Sequence, residues 1–365
     1  MSNGQNGLAD AVNQFRIDSH KLHLHPRRTA DWLEGKNIAP VYMEISPSGA
    51  CNHRCRFCGL DFLGYRKRFL PADLMVERLT ELGAAGLKSV MFAGEGEPFL
   101  HPEMPRLAQA AKEAGIDVAF TTNAVLLTPD KAAAVLPHAS WIKISCNAGT
   151  PQTYADVHQT RPGDFPKMLE NARAALTLRQ EQGGGCAIGF QMVLLPENQD
   201  EAVGLAETVR DLGADYLVIK PYSVHRQSGR DDYLNLRYGD YSLLAARLAA
   251  LDTMNFKTVF RREALARLAG PAPYTRCQAL PFWGYVDSGG SVWGCLRHIG
   301  EDDFLYGNLL ESSVEEILNG PVRREKMARL SAGLDITDCR TDCRMDPVNI
   351  WLQELKNPGP HVNFI

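Results

Sequence analysis

The sequence lacks any segment suited to a membrane. It has no run of eighteen apolar residues, whereas a spanning helix needs about 20. Residues 1–26 are polar and carry no apolar stretch of the kind a secretory signal uses. A cytoplasmic protein is therefore expected, in a compartment that keeps thiols reduced. Excess positive charge is also missing. The formal net charge is −4, so a nucleic-acid partner is not expected. No internal repeat occurs beyond an alternation of strands and helices, and no low-complexity tract. What remains is ordinary globular composition: 365 residues, 45% hydrophobic, 22% charged and 8% aromatic. That length suits one large domain, or one large and one small.

Cysteine is the exception to this plainness. There are nine, and reducing conditions make them ligands or core residues rather than disulfides. Cys51, Cys55 and Cys58 share one short loop with spacing C-x3-C-x2-C. Cys146 and Cys186 stand alone. Cys277, Cys295, Cys339 and Cys343 form a late group, the last two as C-x3-C. Three thiolates on one loop can hold three corners of a [4Fe–4S] cube and leave one iron open. Zinc held by the same thiolates with His53 is the alternative. The late four can ligate every iron of a second [4Fe–4S] cluster, or a structural zinc.

Strands are expected at 41–46, 87–93, 116–122, 141–145, 186–195 and 216–220. Helices are expected from Pro71, at 103–114, from Pro129, at 165–181 and at 199–212. Leu74, Val76, Leu79 and Leu82 would form one face of the first of these. Six apolar strands separated by helices predict an α/β fold of right-handed β-α-β units, a partial (β/α)6 barrel open on one side. Residues 1–40 read as an N-terminal arm docked by Trp32 and Leu33, with solvated His20, His23 and His25. Residues 41–235 read as the barrel core and 236–270 as a connector with a helix near 239–252. In 271–365, a smaller α+β unit, 282–286 and 291–295 flank Asp287-Ser288-Gly289-Gly290 as a hairpin, followed by helices near 313–319 and 322–331.

The cysteine loop follows the first strand, has Phe57 before its third cysteine, and is followed after the second strand by Gly94-Glu95-Gly96-Glu97-Pro98. These features resemble the radical S-adenosylmethionine (radical SAM) enzymes. The late cysteines and Phe304-Leu305-Tyr306-Gly307-Asn308-Leu309 resemble the twitch domain, a shorter relative of the SPASM domain that holds one auxiliary cluster. SPASM domains with two auxiliary clusters need more cysteines than remain, and twitch motifs usually close on C-x2-C rather than C-x3-C.

The resemblance implies that Cys51, Cys55 and Cys58 hold the SAM cluster and that SAM's amino and carboxylate groups chelate the open iron. One low-potential electron, at potentials reaching about −700 mV, then gives methionine and a 5′-deoxyadenosyl radical that abstracts hydrogen. A flavodoxin- or ferredoxin-type donor would supply it. Phe57 would pack near the adenine, and Gly96 and Glu97 would meet the SAM ammonium. Ser145, Asn147 and Gln191 are further expected cofactor contacts, with Asn147 standing where relatives carry aspartate. Asn123, Lys220, Tyr222 and His225 are candidate substrate contacts. A cavity thiol could donate hydrogen to a product radical, but alternation points Cys146 away from Ser145, and buried core positions are expected for Cys146 and Cys186. The expected substrate is small and polar: a sugar, aminocyclitol or nucleoside undergoing oxidation, epimerisation or carbon–carbon bond formation. A peptide maturase is the alternative enzyme, and an iron–sulfur electron carrier the non-enzyme alternative.

Overall fold

The computed structural model describes residue 17 and residues 19–223, 225–268, 270, 272–337, 339 and 343–364. Strands β1 (Tyr42–Ile45), β2 (Ser89–Phe92), β3 (Asp117–Thr122), β4 (Ala139–Ser145), β5 (Ala187–Leu194), β6 (Tyr216–Pro221) and β7 (Lys257–Phe260) alternate with helices. Each pairs in parallel with the next. The intervening helices are α2 (Ala72–Ala84), α3 (Met104–Glu113), α4 (Pro129–Val135), α5 (Pro151–His158), α6 (Asp164–Glu181), α7 (Ala202–Asp211) and α8 (Ser242–Ala249), with α1 (Pro26–Leu33) preceding β1. The α/β expectation holds, and the barrel stays unclosed. The sheet runs β10-β9-β8-β1-β2-β3-β4-β5-β6-β7.

Two features extend the six-strand reading. The connector supplies β7, a four-residue strand too short for a clear periodic signal. Strand β8 (Trp283–Val286) pairs in parallel with β1, on the side away from β2. It turns into β9 (Ser291–Trp293) as the expected antiparallel hairpin, and β10 (Leu305–Asn308) follows. Thus the hairpin joins the barrel's own sheet. Asp287 closes its turn by accepting from the N–H groups of Gly289 and Ser291 and from Trp293 Nε1. Past helix α9 (Arg262–Arg267), which precedes the hairpin, the chain ends in α10 (Val314–Asn319), α11 (Pro321–Gly333) and α12 (Asp346–Lys356). Sequence reasoning did not assign α1, α5, α9 or α12.

Burial follows strand alternation. Ile142 and Ile144 lie under the helices with Phe92, Phe120, Ile188 and Leu217, all inaccessible to solvent. Trp141, Lys143 and Ser145 turn to the other face, the barrel interior. Helix α2 buries Ala72, Met75, Leu79 and Leu82, so its inner face is set by Met75, with Leu74 and Val76 only half-buried. The N-terminal arm docks through Trp32, edge-on to Phe282, while Leu33 stays 45% exposed. Arg323 fastens the same segment by donating to Asn37 Oδ1 and Ile38 O. No helix among the described residues is long and apolar enough to cross a membrane.

The strand ends that carry the site are tied together by Asn198. Its Nδ2 donates to Asn147 O and Val193 O at 2.9 Å, and its Oδ1 accepts from Leu195 N. The side chain is fully buried, so truncation leaves polar backbone atoms unsatisfied. Asn198→Ala is expected to cost about 3 kcal/mol, seen as a lower urea midpoint in an unfolding titration. A midpoint equal to the parent's would show that the clasp contributes nothing.

Candidate active site

The loop of Cys51, Cys55 and Cys58 leaves β1 at the carboxyl end of the strands, the rim where sites form in such folds. It is suspended from α5. The last carbonyls of a helix have no intrahelical partner, and here His158 O and Val157 O accept from Arg54 N and Arg56 N at 3.1 and 3.0 Å. Arg56 adds ion pairs to Asp156, Glu197 and Asp232 at 2.8–3.0 Å. Asn123 Nδ2 donates to Asn52 Oδ1 at 2.8 Å, tying the loop to the end of β3. The thiols of Cys51 and Cys58 both lie close enough to Cys55 to raise its pKa, after burial has raised it most. Burial, with Glu97 nearby, pushes the Cys51 thiol up to about 12. Three desolvated thiols in mutual range suit a centre whose positive charge draws off their protons.

His158, which sequence reasoning missed, sits against this set. Its ring is 1% exposed, stacked on Tyr154 and edge-on to Phe57. Asn147 N–H donates to its Nε2 at 3.2 Å. That contact assigns the ring proton to Nδ1, which lies 3.3 Å from Cys55 Sγ. Burial, then His53, holds the ring's pKa well below the usual histidine value, so it is neutral. Ligand atoms of His53, Cys55 and His158 fall within 4.8 Å of one another. The signal in the sequence would have been Thr150-Pro151, a cap and first-turn proline opening α5; Thr150 accepts from Thr153 N.

The Gly94–Pro98 turn packs against the cysteine loop. Gly94 has φ +106°, and a Cβ there would stand 2.7 Å from the Tyr285 hydroxyl. A Cβ on Gly96 would collide with the carbonyls of Ser48 and Ala50, so only glycine lets the two loops meet. Glu97 is 2% exposed. Its carboxylate accepts from Thr122 Oγ1, Asn123 N and Phe99 N at 2.6–3.1 Å, which commits it to joining this turn to the end of β3.

The other sequence candidates separate into two groups. Ser145 and Gln191 are register partners on β4 and β5 and share the barrel interior. Lys220 on β6 is partly accessible, on the face opposite the buried Leu217 and Ile219. Asn147, by contrast, is sequestered: fully buried, with Oδ1 accepting from Val193 N at 2.6 Å. His225 accepts from Gln227 N on Nδ1, so its Nε2 faces Leu296 O as donor at 3.3 Å, and its ring stacks on Phe62. Tyr222 lies in the core against Tyr233. Cys146 and Cys186 are both buried in the core.

Cys277, Cys295, Cys339 and Cys343 line one cavity with Leu280 and Trp283. The other three thiols all act to raise the pKa of Cys295, after burial. The C-x3-C spacing therefore brings both of its cysteines to the same place as the other two. Beside Cys343, Arg344 donates to Glu44 Oε2 at 2.7 Å and to the Tyr42 hydroxyl at 3.1 Å, linking this cavity to β1.

Residues 45–209 match the model of the radical SAM superfamily. Among curated proteins, the chain is 33% identical over 103 residues to an S-adenosylmethionine-dependent nucleotide dehydratase of Lacinutrix mariniflava, covering 27% of this chain and 21% of that one. It is 27% identical over 190 residues to a GTP 3′,8-cyclase of Chlorobaculum tepidum, covering 51% and 55%. The chain thus spans about a fifth and about half of these relatives' lengths. Among solved structures, Streptococcus suis SuiB bound to its precursor peptide SuiA superposes with TM-score 0.61 at 18% identity, over 82% of this chain and 70% of that one. The structure of anSMEcpe with bound AdoMet gives 0.57 at 15%, over 85% and 88%. Residues 45–209 thus carry a match to the radical SAM superfamily, and the chain as a whole has the fold of these two solved structures.

Proposed function

We propose that Cys51, Cys55 and Cys58 hold a [4Fe–4S] cluster whose open iron takes SAM, and that Cys277, Cys295, Cys339 and Cys343 hold a second cluster. The substrate is a small polar molecule of sugar, aminocyclitol or nucleoside type, and the reaction is an oxidation begun by hydrogen abstraction. When bound, the first cluster and SAM supply a 5′-deoxyadenosyl radical. This chain's residues do the rest. The Gly94–Gly96 backbone lies at the rim where the SAM amino group would be met, Phe57 offers an apolar face for the adenine, and Ser145 and Gln191 present polar groups from adjacent strands. His158 orients Cys55.

The observation that carries the oxidative reading is the convergence of the four late thiols on one cavity, joined to β1 through Arg344 and Glu44. A second centre there would sit where an electron leaving the substrate radical could be taken up. Relatives named for nucleotide and GTP chemistry support a small polar substrate. Peptide modification is the second reading, favoured by the precursor peptide bound to SuiB; that likeness is one of fold.

Anaerobic reconstitution is expected to give about eight irons per chain, falling to about four in the Cys277→Ala/Cys295→Ala variant. Reduction with SAM should release 5′-deoxyadenosine, and Cys51→Ala should abolish that release. An unchanged yield from Cys51→Ala would overturn the cluster assignment; four irons in the parent would remove the second centre. An N–H donor to a cluster sulfur stabilises the more negative, reduced state. His158→Phe should therefore move the first cluster's midpoint potential to lower values in an EPR-monitored titration. A potential equal to the parent's would reduce His158 to packing.

A further inference from the structure

The cavity of the four late cysteines is lined by a further side chain able to bind metal, His298. This residue ends the short 3-10 turn Leu296–His298 that directly follows Cys295, and its N–H donates to Cys295 O at 3.2 Å. The ring is buried and lies nearly parallel to Phe304, with centroids 4.0 Å apart and planes 5° from one another. A ring stacked in this way inside a close-packed core has little freedom to turn.

Glu301 decides what the two ring nitrogens can do. Nδ1 of His298 lies 2.9 Å from Glu301 Oε2, and Arg226 pairs with the same carboxylate. A carboxylate engaged by a guanidinium accepts hydrogen bonds, so Nδ1 carries the ring proton. Nε2 then keeps its lone pair, and that atom is shut off from solvent. Metal-bound histidines ordinarily donate their other N–H to such a carboxylate, which fixes the tautomer, orients the ring and raises its basicity. Arg226 belongs to the segment that follows β6, so the barrel itself braces the Glu301–His298 pair.

We propose that His298 is a ligand of the second centre, binding one iron through Nε2 in place of one of the four thiolates. The inference rests on the second cluster proposed above and deepens it. Five donors then surround a cube of four irons, and one thiol is surplus. Charge favours the exchange. The cavity wall includes Leu280, Trp283 and Phe304, and a neutral imidazole brings one negative charge fewer into such apolar surroundings than a thiolate does. Imidazole in place of thiolate also raises the potential of an iron–sulfur centre. A raised potential suits a centre that takes up an electron from a substrate radical, as the oxidative reading requires.

The test isolates the second centre in the full chain carrying Cys51→Ala, Cys55→Ala and Cys58→Ala, reconstituted anaerobically to about four irons per chain and then reduced. Pulsed EPR should show a nitrogen bonded directly to the cluster, with the 14N pattern giving way to a 15N pattern when the protein is made with 15N-labelled histidine. Adding His298→Cys supplies a thiolate at the same place. That variant should keep its iron, lose the nitrogen coupling and shift the midpoint potential to lower values. Iron content equal to that of the His298 protein certifies that the variant has folded and loaded. A loaded cluster with no histidine nitrogen bonded to it, or a coupling that survives His298→Cys, would overturn the assignment. Absence of iron from the triple variant would instead remove the second cluster, and the inference with it.

Discussion

Strand β1 is the constraint on which the rest depends. It is paired in parallel on both sides, Tyr42 facing Ser89 of β2 and Trp283 of β8. A central parallel strand has no free edge, and crossover connections place other elements over its faces. One face of β1 buries Met43 and Ile45 in the main core. The other presents Glu44 to Arg344, next to Cys343. The chain leaving its carboxyl end is the cysteine loop. One four-residue strand therefore sets the position of the first cysteine group and, through Arg344, its relation to the second.

The loop itself is held by polar groups that are almost all buried. Glu97 joins the glycine turn to β3, Asn147 and Asn198 join the ends of β4 and β5, and His158 passes from Asn147 to Cys55. Each of these side chains is at most 2% exposed. In such surroundings a hydrogen bond left unmade costs more than one made contributes, so the network admits few alternative arrangements. Such a network holds the cysteine loop and the neighbouring strand ends in one arrangement.

The fold was legible where apolar runs were long. The strands at 116–122, 186–195 and 216–220 each match an observed strand to within a residue. Strand β7 and helix α9 escaped because four and six residues carry too little periodicity. The parallel pairing of β8 with β1 escaped because no local pattern records which distant strand a hairpin will join. In the site, spacing pointed to the cysteines. It could not show that Asn147 is turned into the core, since an asparagine in mid-rim reads alike whether it meets a ligand or caps Val193 N.

The central claim is an open iron at Cys51, Cys55 and Cys58 that takes SAM. Mössbauer spectroscopy of protein reconstituted with 57Fe, recorded before and after adding SAM, tests it most directly. About one iron in eight should change its isomer shift as SAM's amino and carboxylate groups bind. Spectra unchanged by saturating SAM would contradict the account.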